Sequence, residues 1–463
     1  MLRGPARAAG QLGRCGAFLV TLAGAATPHD QLARAGRSFF VSPSASAAGD
    51  GSPSAPWPLA TALTNANDSV QPGDTIWLRG GTYAGDFRSV LRGTTERPIV
   101  VRQASGERAI IDGRINAYGS HTVFWGFEIA QSDPLRSKLR GIDVRGPGHR
   151  FVNLVIHDVG GSGIGFWMEG VDAEVYGCIV YNNGFQSSLH HGIYAINRDG
   201  RKSIVDNVVF NNFAYGIQVY GAVGQALRHF TIEGNVAFGN GSISAADRSK
   251  SNLIVGGKGI PAEDVVIAHN VFLYGEGVRT PNVRLGYDPG IENGDVRLEG
   301  NTLIGGDPVL QMLRWHDVVA ERNVLAGSGR IVSVQAPPAG RDVWRANVFL
   351  AALGAAGAVP PRTPVIVRPN RYEPGRAHVV VLNWAGERVV KADLSAVLRV
   401  GDRYELRSVQ HLFGAPVVSG RYEGGAVEIP MRSLAAPATV GRVTPPPPVT
   451  GPFFDVLLLR SLP

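Results

Sequence analysis

Cysteine is nearly absent. The 463-residue chain has only Cys15 and Cys178, so no disulfide framework can hold it together. Charge is sparse too: Asp, Glu, Lys and Arg make up 18%, and the Lys and Arg residues are dispersed rather than grouped in a stripe or tail. With no nucleic-acid motif, that distribution excludes DNA or RNA as the expected partner. No apolar run is long enough to span a membrane, and no long amphipathic helix is legible. Histidine or cysteine pairs at zinc spacing, a nucleophile elbow and a glycine-rich phosphate loop are all missing. So is the cluster of acids on adjacent turns that a glycosidase would need. Stability must come from a buried core, for which 44% hydrophobic residues in a chain of this length suffice.

What the chain does have is a repeat. An asparagine followed by a short apolar strand recurs at Asn153, Asn207, Asn235, Asn270, Asn301, Asn323 and Asn347, with Cys178 filling one vacancy. The spacing of roughly 22 to 35 residues is too long for a hairpin meander and fits one turn of a solenoid of three short strands and three corners. About ten residues after most of these strands comes a second type, as in GIGFW from Gly163, GIYAI from Gly192, GIQVY from Gly216 and NVRLG from Asn282. Gly, Asn and Asp supply the corners, and an inward asparagine can bond backbone groups and stack into a ladder. The column is therefore read as structural, and Cys178 as a buried packing residue. A net charge of +7 suits a partner carrying carboxylates or sulfates.

Residues 1–26 read as an export signal: Arg3, Arg7 and Arg14 precede GAFLVTLAGAA, which ends in small residues at Ala25 and Ala26. Cleavage there would remove Cys15 and leave Cys178 alone. Further on, a helix near Ala60 to Ala66 is placed to cap the open end of the coil. SPSASAAGDGSPSAPWPLATAL, PGDTIWLRGGTY from Pro72 and AIIDG ending at Gly113 resemble the opening of pectin lyase-like right-handed parallel β-helix proteins. The chain is most similar there to polysaccharide lyases of the chondroitinase B, alginate lyase and pectate lyase types. The resemblance covers roughly Phe39 to Leu350. It implies an all-β fold, a solenoid of about nine to eleven rungs, and a glycan as ligand.

β-Elimination of a uronic-acid polymer needs a cation for the C6 carboxylate, a base for the C5 proton and a donor for the departing oxygen. Alternation in the second strand type turns Ile193, Ala195, Ile217, Val219, Val283 and Leu285 inward. Tyr194, Gln218 and Arg284 then face outward, with Asp143, Arg145, Trp167 and Tyr220 exposed on neighbouring rungs. In LHHGIYAINRDG, His190, His191 and Tyr194 sit where the coil turns onto that face, and imidazole with phenol can move protons. Lys250, in SKSN, resembles the Lys-Ser pair of chondroitinase B-like lyases, in which the lysine is the base; the flanking residues depart from that pattern. The catalytic candidates are therefore His191, Tyr194, Lys250 and Arg284. The glycan-binding candidates are His190, Asp143, Arg145, Trp167, Gln218, Tyr220, Lys258 and Arg279. Asp143, Asp199 and Glu276 are isolated acids, so no metal site is assigned, and Ca²⁺ enters only through the resemblance. GYDPG from Gly286 resembles an element of alginate epimerases but lacks the histidine after proline.

The repeat fades after Phe349. The expected organisation is a β-helix over 37–350, a linker at 351–364 and an antiparallel β-sandwich over 365–463, which resembles the small C-terminal sandwich of many carbohydrate-active enzymes. Trp384, Tyr372 and Tyr404 are read as core aromatics there, and TPPPPVTGP as a stiff connection. The expectation is a secreted or periplasmic monomer, a lyase acting on an acidic polysaccharide. The alternatives are a noncatalytic β-helix that binds or scaffolds extracellular polysaccharide and a glycoside hydrolase of the same fold.

Overall fold

The computed structural model describes residues 36–462 except 67, 134, 136–138, 186–188, 245–249, 276, 352–363 and 442. The export signal with Cys15, the acid Glu276 and all but the ends of the linker lie outside the described residues. Parallel strands wind into a right-handed β-helix with three faces. The first face is a sheet of 12 strands, from Ser38–Val41 to Asp342–Arg345. The second and third faces belong to a 19-strand sheet that folds round a corner. Two long strands, Gly81–Ser89 and Ala109–Ala117, cross that corner unbroken: Ile110 pairs with Glu128 on the second face, and Ile115 with Ile142 on the third. The crossing needs glycine, because a Cβ on Gly113, at φ +147°, would lie 2.0 Å from the Gly85 carbonyl oxygen.

Inside the coil, Ile, Val, Leu and Phe fill every rung. The inward set read from the second strand type is correct: Ile193, Ala195, Ile217, Val219, Val283 and Leu285 are all fully buried in one core. A short helix, Leu59–Thr64, buries Leu59, Ala62 and Leu63 against the first rungs, as expected of a cap.

The asparagine column is a hydrogen-bonded ladder with one correction. Asn235 Oδ1 accepts from the Asn207 backbone N–H at 3.1 Å and from Asn207 Nδ2 at 2.9 Å, and its own Nδ2 donates to Ile204 O and Asn270 Oδ1. The pattern continues through Asn301, Asn323 and Asn347. Asn153 does not belong to it. Val155 is in register with Ile179, so Leu154 lies beside Cys178, and Asn153 falls in the preceding corner column with Gly177, Asp206, Gly234 and His269, all at positive φ. Its side chain turns away from the coil to Asn370 and Glu373. A second ladder, Asn183, Asn212, Asn240, Asn252 and Asn282, holds the corner between the second and third faces. Cys178 is buried in the first ladder, and burial pushes its thiol up to about 12, so it is inert.

The C-terminal strands form a five-stranded and a two-stranded antiparallel sheet. Tyr404 is buried in their shared core, whereas Tyr372 packs edge-on against Tyr176 and Trp125 of the β-helix, and Trp384 is half-buried at the interface. The five-stranded sheet covers the outer side of the second face, where Tyr181, Phe210 and Phe238 stack at 4.9 Å intervals and meet Phe454. That cover leaves the outer sides of the first and third faces uncovered, and the third carries the outward residues of the second strand type.

Lys202 brings an amine into the interior. It is 1% exposed and donates to the carbonyls of Trp167 and of Ile196, the latter at 2.6 Å. Burial lowers its ammonium to about 7, Glu169 opposing weakly. In the unfolded chain the amine titrates at 10.5, so between pH 7 and 10.5 the unfolded state binds the extra proton and stability rises with pH, by about 1.4 kcal/mol per unit. His157 acts in the opposite sense. Its hydrogen bonds to Asp158 and Glu128 prevail over burial and lift it to about 9, a contribution full below pH 6.5 and lost as pH rises through 9. The difference between wild type and Lys202→Met isolates the lysine. The unfolding free energy of wild type, measured in urea, is expected to gain on the variant steadily between pH 7 and 10. A constant difference would show that Lys202 stays charged in the fold.

Candidate functional site

The third face carries one outward residue per rung at the centre of its strands. The register runs Asn116, Asp143, Gly165, Tyr194, Gln218, Ile254, Arg284 and Gln311. Tyr194, Gln218 and Arg284 thus share a single column, and Asp143 joins it. Next to it lies a second column, two residues before each strand. Backbone bonds from Gly141 to Ser162, Gly163 to His191, Gly192 to Tyr215 and Gly216 to Ser251 align Arg140, Ser162, His191, Tyr215 and Ser251 on successive rungs. Glycine at 192 allows the close approach: a Cβ there would lie 2.6 Å from a Val209 methyl and 2.7 Å from the Gly216 carbonyl.

These two columns bring a contiguous cluster together. The Lys250 ammonium lies 5.4 Å from the Tyr215 ring centre, and Tyr215 is 5.6 Å from the His191 ring. His191 is 6.2 Å from Tyr194, which meets Trp167 edge-on at 5.6 Å. Arg140 and Arg145 each place a guanidinium 4.8 Å from the Trp167 ring centre. Trp167 Nε1 donates to Asp143 Oδ1 at 2.7 Å, and Asp143 is also 3.6 Å from Arg140 and 4.0 Å from Arg114.

Several expectations change. Asp143 and Gln218 point out of the coil yet are only 6% and 7% exposed, because neighbouring side chains cover them. Asp143 spends its oxygens on Trp167 and two arginines and so organises the cluster rather than meeting solvent. Trp167 has guanidinium groups over its ring and is not an open stacking platform. His191 is 3% exposed; its backbone N–H donates to Ser162 Oγ at 3.0 Å, and its Nδ1 is buried with no hydrogen-bond partner among the described residues. Burial, with His190, Lys250 and Arg140 around it, pushes the imidazole down to about 3 against its hydrogen bond to Gln218, so it is neutral. Tyr194 remains half-exposed, and burial raises its phenol despite Arg140 nearby. Arg284 sits three rungs from Tyr194, about 14 Å at the usual strand spacing. It bonds the carbonyls of Gly286 and Tyr287 and lies over the Tyr287 ring, which Tyr220 meets edge-on. Lys258 and Arg279 are exposed farther along, and His190 packs beside Phe185 at the rim.

Arg140, Tyr215 and Tyr287 were missed. Aligning rungs on the second strand type would have found the first two, since Arg140, His191 and Tyr215 each stand two residues before an inward isoleucine. A calcium ion does not fit the cluster: its acid is already bound to cations and an indole, and among the described residues no three His, Cys, Asp or Glu converge. Among the described residues no helix is long and apolar enough to cross a membrane.

Residues 39–266 match the family model described as Pel9A-like, right handed beta helix region. No curated protein matches the chain. Among solved structures, the chain is similar to pectate lyase Pel9A, at 18% identity over 64% of this chain and 80% of that one, with a TM-score of 0.45. It is also similar to a rhamnogalacturonan lyase, at 15% identity over 67% and 84%, TM-score 0.48. A lacto-N-biosidase from Eubacterium ramulus aligns at 15% identity over 68% of each chain, TM-score 0.45.

Proposed function

We propose that the chain, a pectin lyase-like right-handed parallel β-helix protein, is an exported enzyme that cleaves a uronic-acid-containing polysaccharide by β-elimination on the third face. The observation that carries this reading is the cluster from Lys250 to Arg140, in which basic groups and phenols adjoin on an open face parallel to the coil axis. In elimination the C5 proton passes to a base, its electron pair forms the C4–C5 double bond, and the C4–O bond breaks with the oxygen taking a proton. Lys250 is assigned as the base, in line with the resemblance to chondroitinase B-like lyases. Tyr194, whose raised pKa keeps it protonated at neutral pH, is assigned as the donor. His191, neutral, would support Tyr194 directly and Lys250 through the Tyr215 ring. Arg284, Arg279 and Lys258 extend the basic path for a polymer.

A hydrolase reading lacks a second carboxylate beside Asp143 among the described residues of the cluster. The burial of His191 and the backbone bonds of Arg284 favour the other reading, a protein that binds acidic polysaccharide without cleaving it. Alginate, pectate, chondroitin and heparin, each incubated with the protein, separate the three. Ultraviolet absorbance of an unsaturated uronate is the expected result. Reducing ends without that absorbance would mean hydrolysis, and retention on the polymer with neither signal would leave a binding protein.

A further inference from the structure

We infer that Arg140, seated in the notch left by Gly165, receives the carboxylate of the sugar bound at Tyr194. The inference rests on the acidic-glycan reading above but not on turnover. In the central column Gly165 lies between Asp143 and Tyr194 and has no side chain of its own. The Arg140 chain fills that gap: a Cβ on Gly165 would lie 2.8 Å from Arg140 Cδ and 3.2 Å from Asp143 Oδ1.

The guanidinium is held but not used up. Trp167 supports its plane at 4.8 Å, and Asp143, fixed by the indole N–H, restrains it from 3.6 Å, beyond hydrogen-bond length. Its Nε is buried with no partner among the described residues, while the side chain as a whole keeps 34% exposure. A planar fork fixed from behind and open in front suits bidentate capture of a carboxylate.

Its neighbours are engaged differently. Arg114 bonds Asp86 at 3.1 Å and shares Asp143. Arg145 is one residue beyond the strand Ile142–Val144, so it lies outside the central column, over Trp167. Arg140 is the basic group that shares a column with His191 and Tyr215 and whose charge reaches both His191 and Tyr194. A uronate carboxylate at that fork would place its sugar ring against Tyr194.

The test is calorimetric, on the full chain. Tetrasaccharides of galacturonate, mannuronate and glucuronate, each as free acid and as neutral methyl ester, are titrated into wild type, Arg140→Gln and Gly165→Ala, with circular dichroism confirming the fold. Wild type is expected to prefer one free acid over its ester by about thirtyfold, the size of a lost bidentate charge pair. Arg140→Gln should abolish that preference by weakening the acid and sparing the ester. Gly165→Ala should act in the same direction, because its methyl displaces the arginine without removing charge. Unchanged discrimination in folded Arg140→Gln overturns the inference, as does a wild type that binds no free acid better than its ester. Discrimination lost in Arg140→Gln, with no turnover in any form, would uphold the arginine and remove the lyase reading alone.

Discussion

Tyr194→Phe is expected to lower kcat by about 10² to 10⁴-fold, the range for removing a positioned proton donor, while the melting temperature stays near that of wild type. The expectation follows from how the ring is held. Tyr194 packs edge-on against Trp167 and beside His191, contacts that the phenylalanine ring keeps. The substitution therefore removes one hydroxyl from a half-exposed position and little packing. Lys250→Met should cost a comparable factor if the amine takes the C5 proton, and the two losses should not add, since both groups serve one step. KM should move little in either variant, in contrast with Arg140→Gln, where binding of the acid itself falls. Steady-state kinetics on the substrate found by ultraviolet absorbance decide the matter. A fully active Tyr194→Phe would remove the phenol from the proposed mechanism, whatever Lys250 does.

In Asn235→Leu, the β-helix is expected to lose a large share of its folding free energy. The substitution is nearly isosteric, so the cost is polar. It leaves the Asn207 backbone N–H without its acceptor and removes one bond each from the Asn207 amide, the Ile204 carbonyl and the Asn270 side-chain oxygen, all buried, although Asn207 Nδ2 keeps Val175 O and Asn270 Oδ1 keeps the backbone N–H of residue 235. At about 1–3 kcal/mol for the unsatisfied N–H and about 0.5–1.5 kcal/mol for each of the three lost bonds, the sum is about 2.5–7.5 kcal/mol. A domain holds about 5–15 kcal/mol in total. Asn347→Ala, at the half-buried last rung, is the control: it removes the same kind of bonds to Asn323 and Ala320 where water can replace them, so about 1 kcal/mol is expected. Urea unfolding of the two variants measures the gap. Equal losses would mean that the ladder contributes no more in the interior than at its end.

The ladder also shows how far the sequence could be read. Asparagine every 22 to 35 residues identified the coil, yet it misplaced Asn153 by one residue. Leu154 fills the ladder position there, and the left-handed corner beside it tolerates asparagine as well as glycine. Alternation gave the inward and outward sets of the third face correctly, because a strand's side chains alternate whatever surrounds it. It did not say which outward groups stay open. Asp143 and Gln218 obey the alternation and are nonetheless covered, and Arg140 lies before a strand, where alternation has no hold.

The sequence by itself therefore determined the solenoid, its capping helix, the C-terminal antiparallel strands and the face on which to look, since all of these follow from local periodicity and corner chemistry. Tertiary structure alone decided how closely the side chains of His191, Tyr215 and Tyr194 approach, that His191 lies beneath the surface, and that Arg284 stands three rungs from Tyr194. The physical reason is that rungs differ in length. Each insertion between strands shifts the sequence distance between neighbours, so only the hydrogen-bond register of the stacked strands sets which side chains meet.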